Sequence, residues 1–274
     1  MVSVFDHGFL YGDGVYETLR AYQRKIFLLR RHLARLSRSA ELIGLPLPLF
    51  EKDWAPLLHE ALIRNDLFDA YVRITVSRGP GKIGLDPALC RTPTTVIVAT
   101  PLPQYRPEWY EAGVTLTIAE TRRNHPSALS PQIKSLNFLN NILAKREALA
   151  RGAFDAIMLN TEGAVTECTT SNIFFVADGI VRTPSVGCGI LDGITRSVVL
   201  ALAEEADLNV EEGRYSPDQV LTADECFLTN TTMEIMPVSH IDGTRIGTHT
   251  PGAITSRLHT LFQARLPTLL ESLI

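Results

Sequence analysis

A chain of 274 residues has room for one large or two modest domains, and 45% hydrophobic with 20% charged residues is the mixture of a globular protein. That composition excludes a disordered chain, a collagen-like repeat and a polytopic membrane protein. A net charge of −4 gives no bulk electrostatic reason to bind nucleic acid, so small-molecule chemistry is the starting expectation. Four cysteines, at 90, 168, 188 and 226, include no Cys-x-x-Cys pair and no histidine at zinc spacing, and we expect free thiols, no metal site and no disulfide scaffold. There is no run of about 18 apolar residues and no basic start followed by an apolar stretch, so a soluble cytoplasmic protein with no membrane partner is expected.

In chain order, glycines come at once, at 8, 12 and 14, and read as a tight turn between strands whose Tyr11 and Tyr16 can line a site. Their spacing is not that of a nucleotide-binding motif. Leu29, Leu33, Leu36, Ala40 and Ile43 recur at helical spacing up to Gly44-Leu45-Pro46. His32 and Arg35, three apart on the flank of that helix, can point jointly at one ligand, while Arg31 and Arg38 face solvent. A second helix is expected from Trp54 to Asn65. Tyr71 to Ser77 then alternates strictly, putting Val72, Ile74 and Val76 on a core face and Tyr71, Arg73 and Thr75 on the other. Strands follow at 94–100 and 114–119, and the proline-rich polar stretch 121–132 marks a boundary. Beyond it we expect a helix at 136–151, strands at 156–160 and 164–168, and a hairpin around Asp178-Gly179. A helix opens at Gly193, a strand covers 226–230, and a last helix lies within 254–264.

Three features carry candidate chemistry. Lys134, between apolar neighbours and ahead of a helix, can act as an amine nucleophile if desolvated, although a snorkelling surface lysine is the commoner case. Glu167 ends an apolar strand, where an acid needs a positive partner: either an ion-paired core group or a counter-ion for a bound cation. Gly193-Ile194-Thr195 opens a helix and can offer free N–H groups to an anion, and Thr231-Thr232 adds two hydroxyls after a strand.

Six segments, in order along nearly the whole chain, resemble fold type IV pyridoxal-phosphate enzymes: branched-chain aminotransferases, D-amino-acid aminotransferases and aminodeoxychorismate lyases. They are Tyr11-Gly12-Asp13-Gly14-Val15-Tyr16-Glu17, His32-Leu33-Ala34-Arg35-Leu36, Lys134-Ser135-Leu136-Asn137, Thr166-Glu167-Cys168 with Ser171-Asn172-Ile173-Phe174, Gly193-Ile194-Thr195-Arg196, and Glu234-Ile235-Met236-Pro237-Val238. The resemblance implies a two-domain α/β fold: a small N-terminal domain at 1–122, an interdomain loop at 123–132, and a larger C-terminal pseudo-barrel domain at 133–274. It also implies pyridoxal 5′-phosphate as cofactor, joined to Lys134 as an internal aldimine, and a homodimer with the cofactor between the domains. By the same resemblance Glu167 pairs with the pyridine nitrogen, Leu191 packs under the ring, and Arg35, Gly193, Ile194, Thr195 and Thr231 hold the phosphate. The glycine motif stands closer to the start than family members usually place it, which leads us to expect missing first strands and an open edge in the small domain's sheet.

Substrate must be read from other positions. Ala70-Tyr71-Val72-Arg73 resembles the branched-chain strand whose tyrosine and arginine bind substrate carboxylates, and Tyr11, Tyr16, Thr231 and Thr232 join the candidate substrate contacts. The loop Arg78 to Pro87 lacks the arginine and histidine, two apart, usual in D-amino-acid enzymes. Lys134-Ser135-Leu136-Asn137 and Val15-Tyr16-Glu17 look more like those enzymes, while Arg78-Gly79-Pro80-Gly81 and Thr166-Glu167-Cys168 also occur in lyase-like sequences. The expectation is a transaminase passing the amino group of a branched-chain L-amino acid to 2-oxoglutarate, with a D-amino-acid transaminase or aminodeoxychorismate lyase as the alternatives.

Overall fold

A computed structural model describes residues 1–273. In chain order the elements are α1 (His7–Tyr11), β1 (Gly14–Tyr22), β2 (Lys25–Phe27), α2 (Leu29–Leu42), α3 (Glu51–Arg64), β3 (Ala70–Ser77), β4 (Thr94–Pro101), α4 (Pro107–Ala112) and β5 (Val114–Ile118). They continue as α5 (Leu139–Ala150), β6 (Asp155–Leu159), β7 (Val165–Cys168), β8 (Asn172–Ala177), β9 (Ile180–Pro184), α6 (Ile194–Glu205), β10 (Val210–Gly213), α7 (Pro217–Leu221), β11 (Glu225–Asn230), β12 (Glu234–Ile241), β13 (Thr244–Arg245), α8 (Ala253–Arg265) and β14 (Leu270–Glu271). No helix among the described residues is long and apolar enough to cross a membrane.

The chain forms two compact units that are not the sequential split expected at 122–133. The first comprises residues 1–103, 133–138 and 268–273, and the second residues 104–132 and 139–267. Two pairings explain the difference. Strand β5, expected in the N-terminal domain, pairs in parallel with β6 and β12 of the second unit. Residues 134–136 instead run along β1, where Tyr16 N–H donates to the Lys134 carbonyl and Leu136 N–H to that of Gly14.

In the first unit five antiparallel strands follow the order β14-β2-β1-β3-β4. The alternation of β3 is realised: Val72, Ile74 and Val76 are buried, while Tyr71, Arg73 and Thr75 are half-buried on the opposite face. Val15, Leu19 and Ala21 of β1 share the core face, and α2 lays Leu29, Leu33, Leu36 and Ala40 on it beside Trp54, Leu58 and Leu62 of α3. Burying each large apolar side chain contributes about 1.5–3 kcal/mol, which holds α2 in place although no side chain caps its start. At one end of this sheet β14 pairs with β2, through Leu270 against Phe27 and Glu271 against Ile26, and β4 forms the other end.

The glycine cluster is not a turn between strands. Residues 7–11 form a short helix capped by Gly12 at φ +70°, and Gly14 begins β1. A Cβ on Gly14 would lie 2.7 Å from both Leu136 Cδ1 and the Val76 carbonyl, so this glycine admits the 134–136 segment beside the strand.

The second unit is built on one nine-stranded sheet, ordered β10-β9-β8-β11-β12-β5-β6-β7 with β13 beside β12. Its curvature follows from chain length. In a flat sheet β7 and β8 would stand five strand spacings apart, about 24 Å at about 4.8 Å each. The link 169–171 reaches only about 14 Å fully extended, so the sheet must curl back on itself, the pseudo-barrel that was expected. Its core joins Val114, Leu116, Ile157, Val165, Phe175, Leu228 and Met236. The hairpin at Asp178-Gly179 forms as anticipated, with both residues at positive φ.

Candidate active site

In the first unit, Lys134 is placed by the strand-like pairing of its segment with β1 and by its own N–H, which donates to the buried Ser39 hydroxyl at 3.2 Å. Its side chain turns to Tyr16, donating from Nζ to the phenol oxygen at 3.0 Å with Nζ 4.4 Å from the ring centroid. The Arg73 guanidinium covers the same ring at 3.9 Å, while its Nε donates to Thr75 Oγ1 at 3.1 Å. Thr75 lies directly across from Tyr16 and Arg73 one step along that face, so the sheet register assembles the group. Phe138 packs on Tyr16 with ring centroids 5.1 Å apart. Lys134, Tyr16 and Arg73 are therefore brought together. Tyr11 sits at the end of α1, its hydroxyl accepting from Gly84 N–H at 3.2 Å, and Tyr71 is half-buried on β3.

Arg35 and His32 do point jointly at one group, and that group is Glu17. Arg35 donates from Nε to Oε1 at 2.7 Å and from Nη2 to Oε2 at 2.9 Å, and His32 Nδ1 donates to Oε2 at 2.8 Å. Glu17 and His32 have no exposed surface. Burial pushes the Glu17 carboxyl up, but the Arg35 guanidinium and the hydrogen bonds from Arg35 and His32 overcome it and hold the group well below the usual carboxylate range. For His32, burial pushes the imidazole below its ordinary value by more than Glu17 raises it, leaving a neutral donor. An acid within an otherwise apolar face of β1, opposite a histidine and an arginine three apart on a helix, was the signal available in the sequence. Glu17 itself was not singled out there.

In the second unit Glu167, the penultimate residue of β7, is buried with several donors. Arg123 reaches Oε1 from Nε at 3.1 Å and from Nη2 at 2.9 Å. Leu191 N–H and Asn172 Nδ2 donate to Oε2 at 3.1 and 3.3 Å. The positive partner that an acid on this strand required is thus Arg123, itself bonded to Asn141, whose amide donates to the Thr169 carbonyl. Arg123 comes from the proline-rich stretch, where nothing in the pattern distinguishes it from Arg122.

Leu191 leads directly to Gly193, the N-cap of α6, whose missing side chain cannot cap the first turn. Ile194 and Thr195 are buried there, and Thr195 Oγ1 has no hydrogen-bond partner among the described residues. Thr231 and Thr232 lie in the three-residue turn between β11 and β12. Thr231 is half-buried, while the Thr232 hydroxyl bonds with Tyr105 at 2.8 Å and Asn230 at 3.1 Å. Glu167, Leu191 and the start of α6 are therefore one connected group within this unit. All four cysteines are free, three of them buried.

The sequence matches the family model for class IV aminotransferases over residues 14–241. A Methanocaldococcus jannaschii protein provisionally named a branched-chain-amino-acid aminotransferase is 43% identical over 262 residues, 96% of this chain and 90% of that one. The D-alanine aminotransferase of Bacillus licheniformis is 38% identical over 265 residues, again 96% and 90%. Among solved structures, the Escherichia coli branched-chain aminotransferase superposes with a TM-score of 0.96 at 28% identity, over 100% of this chain and 94% of that one. The T.th. branched-chain enzyme, solved with pyridoxamine 5′-phosphate, gives 0.93 at 30% identity with the same coverage. With a family model matching most of the chain and relatives matching nearly all of it, the protein belongs to the class IV aminotransferases, the pyridoxal-phosphate enzymes that its sequence resembles.

Proposed function

We propose that the protein transfers the amino group of a branched-chain L-amino acid to 2-oxoglutarate, with Lys134 as the catalytic lysine and pyridoxal 5′-phosphate as cofactor. The observation that carries this reading is the cluster around Tyr16, where an amine nucleophile and an arginine able to take a substrate carboxylate flank one phenol. The residues fit the cofactor. The buried, partnerless Thr195 hydroxyl at an uncapped helix start is an orphan that a phosphate oxygen would satisfy.

When bound, pyridoxal phosphate supplies an aldehyde that exchanges amines and a ring that withdraws electrons from substrate Cα. Lys134 Nζ would anchor the cofactor and, as a free amine, would serve as the base that takes the proton from substrate Cα. Tyr16 orients Nζ. Glu167 would hold the pyridine nitrogen's proton, Leu191 would pack on the ring, and Arg35, Gly193, Ile194, Thr195 and Thr231 would hold the phosphate. The pairing of Arg35 with Glu17 fixes the plane of its guanidinium. Tyr11, Tyr71, Arg73, Thr231 and Thr232 contact substrate.

A second reading, a D-amino-acid transaminase, is favoured by the Lys134-Ser135-Leu136-Asn137 motif and by the 38% identical relative. Arg78, the arginine of the loop after β3, argues against it. Its guanidinium is bound to Asp13 and to the carbonyls of Ile43 and Gly44. The lyase reading shares Lys134 and needs no amino acceptor. Mixing the cofactor-loaded protein with single L- and D-amino acids and following the visible band of the lysine-bound cofactor separates all three. Conversion by L-leucine or L-valine and not D-alanine is expected, conversion by D-alanine alone selects the second reading, and no response to any amino acid selects the lyase.

We also propose a cytoplasmic homodimer. Exposed Phe5, Phe9, Ile83 and Leu85 lie on two segments joined by the Asp6–Pro80 bridge and the Tyr11–Gly84 hydrogen bond, an apolar face suited to a second copy. Sedimentation at micromolar concentration tests it, a monomer being the contrary result.

A further inference from the structure

Residues 190–193, which carry Leu191 into α6, lie in no strand or helix, so side chains must fix where they run. Both peptide groups of Leu191 are taken by side chains from neighbouring strands. Its N–H donates to Glu167 Oε2 at 3.1 Å, and its carbonyl accepts from Asn172 Nδ2 at 2.9 Å. The same Nδ2 donates to Glu167 Oε2 at 3.3 Å, closing a ring of three hydrogen bonds among Glu167, Asn172 and Leu191. Asn172 is buried, and both protons of its amide are engaged.

The other end of the same side chain touches the helix start. A Cβ on residue 193 would stand 2.0 Å from Asn172 Oδ1. Gly193 has φ −74° and ψ 136°, which any residue adopts, so its backbone does not require glycine. Asn172 does.

We propose that Asn172 is a positioning residue that sets the register between the Glu167 carboxylate and the anion-binding start of α6. It thereby makes the second unit recognise one ligand carrying a protonated ring nitrogen and a phosphate, rather than two separate groups. This deepens the assignment of a pyridoxal-phosphate site and rests on it. With Asn172 in place, a ligand seated on Glu167 presents its phosphate to Thr195 without further adjustment. Without it, the 190–193 segment keeps one tether instead of two and the phosphate contribution is lost, while the ring contacts of Glu167 and Leu191 remain.

The test uses the full-length protein freed of bound cofactor, titrated by fluorescence with pyridoxal 5′-phosphate and with pyridoxal, the same ring without phosphate. Asn172→Ser should lower the preference for pyridoxal phosphate over pyridoxal at least about 10-fold, with pyridoxal affinity changed less than about 3-fold, as expected for losing hydrogen bonds to a charged group and its anchored loop. Gly193→Ala should act in the same direction, since its Cβ displaces Asn172, and it serves should Asn172→Ser fail to fold. In the double variant the Gly193→Ala penalty should shrink, because the oxygen it strikes is gone; the Arg196 Cβ at 3.2 Å makes that rescue partial. An unchanged preference in Asn172→Ser and Gly193→Ala, or equal losses for both ligands with a lowered Tm, overturns the inference and leaves Asn172 a packing residue. Wild-type protein that does not prefer the phosphorylated ligand overturns instead the cofactor assignment beneath it.

Discussion

Each unit has a buried carboxylate within one of the six motifs, Glu17 in the first and Glu167 in the second, and the two are neutralised in different ways. Glu17 is enclosed in the first unit by Arg35 and His32, which lie three apart on α2 and arrive together as the helix packs on β1. Glu167 in the second unit receives Arg123 from an irregular stretch, an amide from β8 and a backbone N–H from residue 191. Both acids are buried and fully hydrogen-bonded, but the chain that donates to Glu167 at Leu191 runs on into an uncapped helix start with an orphaned hydroxyl. What marks the second group for a ligand is that unsatisfied neighbour, not the acid's own pairing.

That contrast can be broken experimentally. The largest effect is expected from Lys134→Ala, which removes the amine itself: no visible band of lysine-bound cofactor forms, and turnover falls by about 10⁴-fold in a steady-state assay. Normal turnover would refute the site. Next comes Glu17→Gln, which leaves a half-buried guanidinium without its buried counter-charge and should lower unfolding free energy by about 3 kcal/mol in urea titration. Glu167→Gln should keep cofactor but lose about 100-fold in kcat, because a neutral amide no longer holds the pyridine proton, and it should also lower stability, because Arg123 loses its counter-charge as Arg35 does in Glu17→Gln. If Glu17→Gln costs only activity and Glu167→Gln only stability, the division of roles is reversed.

The smallest effect is on pH dependence. Both Glu17 and His32 have pKa values depressed by folding, so each contributes stability that is complete above its ordinary value and is lost as pH falls below it. The urea midpoint should therefore be level from pH 8 to about 6.5, decline as unfolded His32 takes up the proton the folded site refuses, and fall further below about 4.5 as Glu17 adds its share. His32→Gln should flatten the decline between about pH 6.5 and 5. An unchanged slope would mean that His32 takes up its proton alike in the folded and unfolded chain.

Much of this was legible in the sequence because it is local. The apolar spacing of α2, the alternation of β3 and the Asp178-Gly179 hairpin each depend on side chains within one element, and the structure places them within a few residues of expectation. The same locality misled at 136–139: the sequence starts a helix after Lys134, but Leu136 is drawn into pairing with Gly14, so α5 begins only at Leu139. The glycine cluster failed for a related reason, since the need for Gly14 comes from a segment more than 100 residues away.

The sequence by itself determined the family and singled out Lys134 as the proposed reacting amine and Glu167 as the proposed partner of the ring nitrogen, because each of these is written in a short motif whose chemistry is intrinsic to its residue types. Only the tertiary structure decided that β5 leaves the first unit, that Glu17 takes the charge of Arg35 and a hydrogen bond from His32, and that Arg123 and Asn172 hold Glu167. Those are pairings between residues distant in sequence, and they are fixed by burial: a buried charge or amide must take whichever partner the packed strands bring within hydrogen-bond reach.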